Sequence, residues 1–537
     1  MVHIQDLPIE LLRLILSFIA DPEDEPFLKL PDRADQSAKA KGGNANELER
    51  DDQYDDDDAD EYENLRNICL VSRRFRELAQ PLLFRYFDDD GLAGDLSKTI
   101  SFAKTIYRCP HLGKLVQDIS ILPIPFCLGG PRQLTVEDSE FFKGAIQDLQ
   151  LADQEEAWIS AMEKSDLGVF GALLVNKTPN LRGLHLPGGQ FSMKPFTHLF
   201  SRNPSFLSDL ESLWIECEDE FSGYNIASYQ EFLTLPKLVF PTFENGDLLD
   251  ASFPSTWAPG TLMTEQVAFH RCHIDAGSIR KFMRACKKLK SFTYQNFSLD
   301  PHDQRTPSTR ATAEFNAAQA HEAALLHKNT LEHFHLEFAR DPWDFENPEE
   351  YLSSRVKIGS FRDFVVLETI FLPHALLPPH PQFPRSLKTL HITDCNSSIR
   401  DLVQNIAIDC KNGLYPDFTD FKVLAIDITR PIKLSGQRIP PGKTPEQCFL
   451  SLQGLFKGTK VDFQILPYKI PDFDEYDDSD LDYEDYEEYP LGAGVPGMDR
   501  MPGLFDLIMQ RALQDPDFTN LRSHAASDNS WETDDND

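Results

Sequence analysis

The chain has no surplus of positive charge: 52 Lys and Arg stand against 87 Asp and Glu, a net charge of −35 at neutral pH. A nucleic-acid backbone or an anionic bilayer works against that field, so neither is expected as a partner. No stretch reaches the ~18–20 uncharged apolar residues that a membrane crossing requires. The nine cysteines, Cys69, Cys109, Cys127, Cys217, Cys272, Cys286, Cys395, Cys410 and Cys448, are odd in number and include no CxxC pair. That is the usage of buried, reduced thiols in a cytoplasmic or nuclear protein. The glycosylation-like triplets at Asn176, Asn296 and Asn396 are then without consequence. Also missing are a glycine-rich phosphate loop, an HExxH helix and a GxSxG nucleophile turn. The nearest approach to a metal motif, His270, Cys272 and His273 in "HRCHID", fits no zinc spacing. It reads as a core cysteine between outward histidines. No catalytic residue, cofactor or metal is expected.

The negative charge is localised. Residues 21–63 hold 17 acids and 5 bases, 472–490 hold 11 acids and no base, and 515–537 hold 7 acids and 1 base. These three segments carry −29 of the −35, leaving a body of unremarkable charge. Their polar, acid-rich composition cannot offset the entropy of ordering, so 21–63 and 469–537 are expected to be disordered. Within the second, 501–513 has helical periodicity through Leu504, Phe505, Ile508 and Ala512. Ser479, set among carboxylates, suits acid-directed phosphorylation.

Ahead of the first acidic segment stands "LPIELLRLILSFI", residues 7–19. Asp6 and Glu10 precede its apolar centre and Arg13 interrupts it, so it does not read as an export signal. Leu11, Leu12, Ile15, Leu16, Phe18 and Ile19 recur at helical spacing, with Pro8 suited to the first turn. Order is expected to resume in "NLRNICLVSRRFRELAQPLLFRYF", residues 64–87, as a helix over Leu65–Leu70 and another capped by Ser72. The second carries Phe75, Leu78, Leu82 and Leu83 on one side.

Together LPxELL, LVSRRF and PLLFR resemble an F-box, the three-helix module that docks on the Skp adaptor of cullin-based ubiquitin ligases. The resemblance covers residues 1–20 and 64–88, split by the acidic insertion 21–63; a surface insertion costs only about 0.6 kcal/mol per doubling of length. It implies that Leu7, Pro8, Leu11, Leu12, Ile15, Leu16, Leu65, Leu70, Val71 and Phe75 contact the adaptor.

From residue 90 to 468 a second pattern takes over. LxxLxL spacing recurs at Leu181/Leu184/Leu186, Leu210/Leu213/Ile215, Leu289/Phe292/Tyr294, Leu331/Phe334/Leu336, Leu367/Ile370/Leu372, Leu387/Leu390/Ile392 and Phe421/Leu424/Ile426. A weaker copy, Thr264/Val267/Phe269, runs on to Cys272 and Ile274, and Cys395 continues the copy from Leu387. This resembles irregular leucine-rich repeats. The interval from Leu210 to Thr264 is about twice its neighbours and signals an insertion or a missed copy. Helical stretches at 277–288, 311–328 and 397–410 alternate with the strands, and 90–175 lead into the stack. The expected fold is α/β: an F-box followed by a leucine-rich-repeat-like solenoid that buries its apolar face by stacking. The expected role is a non-catalytic adaptor, bound to a Skp-type adaptor and cullin ligase core and holding a protein for ubiquitination. The alternative is a solenoid scaffold or acidic chaperone for basic proteins, with the N-terminal helices capping the stack.

Overall fold

The computed structural model describes residues 7–20, 57–89, 97–121, 134–151, 154–189, 191–217, 223–296, 316–338, 356–395, 399–425 and 451–467. Two compact units divide the chain, Met1–Asp472 and Phe473–Asp537, and every described residue belongs to the first. The disorder expected for 21–56 and 469–537, the stretch 501–513 and Ser479 lie outside the described residues.

Three helices come first: α1 (Ile9–Ala20), α2 (Asp57–Val71) and α3 (Arg73–Leu83). The expected cap is present, with the Phe75 N–H donating to Ser72 Oγ at 3.2 Å. The Pro8 carbonyl accepts from Leu11 and Leu12 and so starts α1. One boundary is corrected: α2 begins at Asp57, inside the segment expected to be disordered. The sequence places Asp57, Asp58, Asp60 and Glu61 in its first turns, where the positive end of the helix dipole favours acids.

The remainder is α/β, built on a large parallel sheet. Its strands are β1 (Tyr86–Asp89), β2 (Asp118–Ile121), β3 (Gly183–Pro187), β4 (Ser212–Glu216), β6 (Phe240–Glu244), β8 (Gln266–His270), β10 (Ser291–Asn296), β11 (His333–Phe338), β12 (Thr369–Pro373), β13 (Thr389–Cys395), β14 (Asp420–Ala425) and β15 (Asp462–Pro467). All pair in parallel and in chain order, so the sheet is open rather than a closed barrel. The short strands β5 (Tyr224–Asn225), β7 (Gly246–Leu248) and β9 (His273–Ile274) form a separate three-stranded parallel sheet. Connections hold α4 (Ser97–Arg108), α5 (Pro110–Gly113), α6 (Val136–Asp148), α7 (Glu155–Glu163), α8 (Leu167–Val175), α9 (Lys194–Arg202), α10 (Gln230–Leu233), α11 (Ala276–Ala285), α12 (Ala317–Ala324) and α13 (Arg400–Lys411). Two helix expectations shift at their ends, to α11 and α13; the third yields α12 over 317–324, a 3₁₀ turn at Leu325–His327 and residues 311–315 outside the described ones.

Strand pairing explains the repeated pattern. The middle apolar residue of each in-frame copy lies beside its equivalent on the next strand: Ile119, Leu184 and Leu213 are lateral neighbours, as are Phe292, Phe334 and Ile370. Side chains alternate between faces with a period of two, so one face is a continuous apolar layer. Leu181, Leu184 and Leu186 are 1%, 1% and 0% exposed. Aromatic rings continue this layer, Phe243–Phe269 at 5.5 Å, Phe292–Phe334 at 5.8 Å and Phe334–Phe361 at 5.6 Å.

Register also amends the repeat reading. The long interval after Leu210 holds a missed copy, Leu238/Pro241/Phe243 on β6, whose proline breaks the apolar pattern. Val116/Ile119/Ile121 on β2 is another. The copy assigned to Phe421/Leu424/Ile426 is out of frame: Leu390 pairs with Phe421 and Ile392 with Val423. The buried triplet is Phe418/Phe421/Val423, while Leu424 is half-buried and Ile426 is not described. The sheet begins at Tyr86, within the segment read as the end of the three-helix module.

Just past β6 and β8 the chain turns through non-glycine residues at positive φ, Asn245 (57°) and Arg271 (51°), and Asp394 (56°) does the same inside β13, where the register shifts. Asn and Asp tolerate this left-handed region better than most residues. The Asn245 amide donates to the Cys217 carbonyl at 2.6 Å, which ties the turn to the equivalent position one strand earlier.

His321 and His327 are buried around α12. The Leu289 N–H donates to His327 Nδ1 at 3.3 Å, so Nε2 carries the proton and donates to the Met283 carbonyl at 2.7 Å. His321 sits edge-on to Phe361 at 4.6 Å. Burial holds both pKa values below the ordinary 6.5, and the fold therefore binds their neutral forms. The stability they contribute is complete above pH ~6.5 and is lost as pH falls through the lowered folded values. Urea midpoints are expected to fall between pH 7.5 and 5.5, with a smaller fall in His327→Gln, which keeps donor and acceptor without titrating. The frame correction makes a second prediction: Phe418→Ala costs about 3–5 kcal/mol by chemical denaturation, and Leu424→Ala clearly less.

Candidate functional site

Two surfaces concentrate functional groups. The first is the outside of the three-helix module. Leu12, Leu16, Leu65, Cys69, Phe75, Leu78 and Ala79 form its core, with Leu7, Ile68, Leu82 and Leu83 packed against them. Arg74 Nη2 donates to the Leu7 carbonyl at 2.9 Å and Arg76 Nε to the Cys69 carbonyl at 3.1 Å, which pins the start of α1 and the end of α2 to α3.

The ten residues expected to touch a partner therefore divide into two groups. Leu12, Leu16, Leu65 and Phe75 are 1–8% exposed and Leu7 is half-buried, so these five build the module's interior. Correspondingly, Pro8, Leu11, Ile15, Leu70 and Val71 face solvent, with Leu11 47%, Leu70 69% and Val71 61% exposed. Two residues the sequence reading left out, Ile9 and Leu14, are also exposed, the latter 52%. A helix that merely covers a core has one apolar stripe and a polar outer face. Here α1 is apolar inside at Leu12 and Leu16 and apolar outside at Leu11 and Ile15, with Leu70 and Val71 adding exposed apolar surface at the end of α2.

The second surface is the polar face of the large sheet, opposite its apolar layer. Its outward positions carry Asp88, Asp118, Glu216, Glu244, Glu337, Asp420 and Asp462 against one lysine, Lys422. Register brings complementary groups together. Ser120 Oγ lies 3.3 Å from His185 Nδ1, and His185 Nε2 lies 3.1 Å from Glu216 Oε2. The His185 ring stacks on Trp214 with centroids 4.6 Å apart. Glu244 is the direct neighbour of Glu216 and pairs with Arg271. Burial, then the Glu216 charge, pushes the Glu244 carboxyl up. Farther along, Gln295 Nε2 donates to Glu337 at 2.8 Å, the His335 and Phe371 rings lie tilted with centroids 4.1 Å apart, and His391 Nε2 lies 3.2 Å from Asp420 Oδ2. Burial raises Asp420, but the His391 hydrogen bond and Lys422 outweigh it and leave its pKa below the ordinary value.

This face offers hydrogen-bond acceptors, carboxylates and rings, which suit contacts with another protein. Cys272 is fully buried, accepts from the Gly246 N–H at 3.4 Å and lies 3.3 Å from the Phe243 carbonyl, and burial raises its pKa. His270 and His273 beside it are half-buried. Among the described residues no group of three or more His, Cys, Asp and Glu could hold a metal ion, and no helix is long and apolar enough to cross a membrane.

No protein-family model matches the chain, and no curated protein matches it significantly.

The division of the ten residues is directly measurable. Leu12→Ala is expected to destabilise the N-terminal module by about 2–5 kcal/mol, and Leu11→Ala by no more than about 0.5 kcal/mol, in hydrogen exchange or thermal unfolding.

Proposed function

We propose that the chain is a non-catalytic substrate-recognition adaptor of a Skp-cullin-F-box ubiquitin ligase. In this reading α1–α3 are an F-box that docks on a Skp-type adaptor. The parallel sheet with its connecting helices is a leucine-rich-repeat-like solenoid whose polar face holds the protein to be modified. The observation that carries the reading is the outer apolar row of α1, Leu11 and Ile15 with Leu14 beside them, exposed on a helix whose core-facing side is already satisfied by Leu12 and Leu16. The agreement of LPxELL, LVSRRF and PLLFR with the F-box in order and spacing supports it from the sequence. The contact set narrows to the solvent-facing residues Pro8, Leu11, Ile15, Leu70 and Val71, joined by Ile9 and Leu14. Leu7, Leu12, Leu16, Leu65 and Phe75 act by shaping the module.

The scaffold or acidic-chaperone reading retains one supporting observation: α3 runs into β1 with two residues between, and Phe84 and Phe87 both stack on Phe102 of α4, at 6.1 Å and 4.1 Å. Under that reading the helices cap the sheet edge. Removing residues 1–85, which leaves β1 in place, then unfolds the sheet; a docking module comes off with little change in the unfolding midpoint.

Purified chain is expected to bind a Skp-type adaptor, with Leu11→Asp combined with Ile15→Asp weakening binding by about 100-fold or more and leaving the circular dichroism spectrum intact. Binding unchanged in the double variant would remove the docking assignment.

A further inference from the structure

The exposed apolar residues at the end of α2 lie in the arginine-rich part of the module, which follows the acidic first turns of α2. Residues 64–85 contain Arg66, Arg73, Arg74, Arg76 and Arg85 against a single acid, Glu77, within a chain of net charge −35. All five guanidinium residues are exposed. Arg74 and Arg76 are engaged with the module's own backbone carbonyls. Arg73 pairs at 3.3 Å with Glu77 one helical turn on, with its side chain 92% exposed, a geometry that contributes little in water. Arg66 stands one turn before Leu70 and so shares its side of α2, and Arg73 follows Val71 by two residues across the α2–α3 junction. On α1, Arg13 stands one turn after Ile9 and beside Leu14, both exposed.

Apolar anchors interleaved with outward cations fit one kind of counterpart. Resting on the docking reading above, we infer that the three-helix module recognises a partner surface whose apolar groove is rimmed by carboxylates, and that Arg66 and Arg73 steer its approach while Leu11, Ile15, Leu70 and Val71 hold it. Rim charges act mainly on the encounter rate and its salt dependence, and buried apolar anchors on the dissociation rate.

The experiment measures association and dissociation rates of the full-length chain with a purified Skp-type adaptor at about 0.05 M and about 0.5 M salt, which spans strong to weak screening. The wild-type association rate is expected to fall by about tenfold or more across that range. Arg66→Gln with Arg73→Gln is expected to lower the low-salt association rate by about fivefold or more and to flatten the salt dependence, with the dissociation rate changed by less than about twofold. Leu70→Ala with Val71→Ala is expected to do the reverse, and Lys388→Gln, a control just before β13, to do neither. An association rate and salt slope unaffected by the double arginine substitution would overturn the inference while leaving the docking reading standing. Absence of any wild-type binding would overturn that reading and the inference together.

Discussion

The described structure depends on one constraint: a β-strand presents alternate residues to opposite faces, and parallel pairing in register sets each position beside its equivalent on the next strand. Once Leu184 lies beside Leu213 and Phe334 beside Ile370, the apolar layer is continuous, and the polar face is organised by the same register. Glu216 meets Glu244, Gln295 meets Glu337, and His185 meets Trp214 because their apolar neighbours are aligned. Like carboxylates side by side oppose pairing, and at Glu244 the sheet answers with Arg271, supplied by the turn that follows β8. The polar face is thus a consequence of the core rather than an independent construction.

The three-helix module obeys a different geometry and gives a different kind of surface. With 3.6 residues per turn, Leu12 and Leu16 fall on one side of α1 while Leu11 and Ile15 fall on the adjoining side. One side packs with Leu65, Phe75 and Leu78; the other leaves Leu11 and Ile15 exposed. A core of seven buried residues is small, and Arg74 and Arg76 add hydrogen bonds to the backbone carbonyls of Leu7 and Cys69 at its margin.

Much of this was legible in the sequence where the pattern was carried by one residue class. Seven copies of LxxLxL were visible, and six of them are in frame, because aliphatic and aromatic residues at those positions are unmistakable. The β6 copy was hidden by Pro241, which fits the middle position without looking apolar enough to count. The frame at β14 slipped because Leu424 and Ile426 offered a plausible leucine pattern three residues beyond the one the sheet uses, Phe418/Phe421/Val423; only pairing with β13 decides between them. Within the helices, periodicity located the apolar residues but could not divide them into inner and outer rows, since Leu11 and Leu12 are the same residue type and differ only in direction. The polar face was not legible at all. Its groups lie on strands far apart in the chain, and no spacing rule connects Ser120, His185 and Glu216.

Collinear order has a consequence for how such a chain changes in length. Each strand of the large sheet touches only the strand before it and the strand after it, so no part of the sheet waits for the two ends of the chain to meet. The intervals between strands differ widely, as the short step from β12 to β13 and the long one from β2 to β3 show, yet the pairing is uninterrupted. Lengthening a connection costs little closure entropy and disturbs no distant contact. The sheet therefore behaves as a series in which one link can be stretched, duplicated or removed at an edge while the rest keeps its register, and tension on the chain would peel it link by link from β1 or β15.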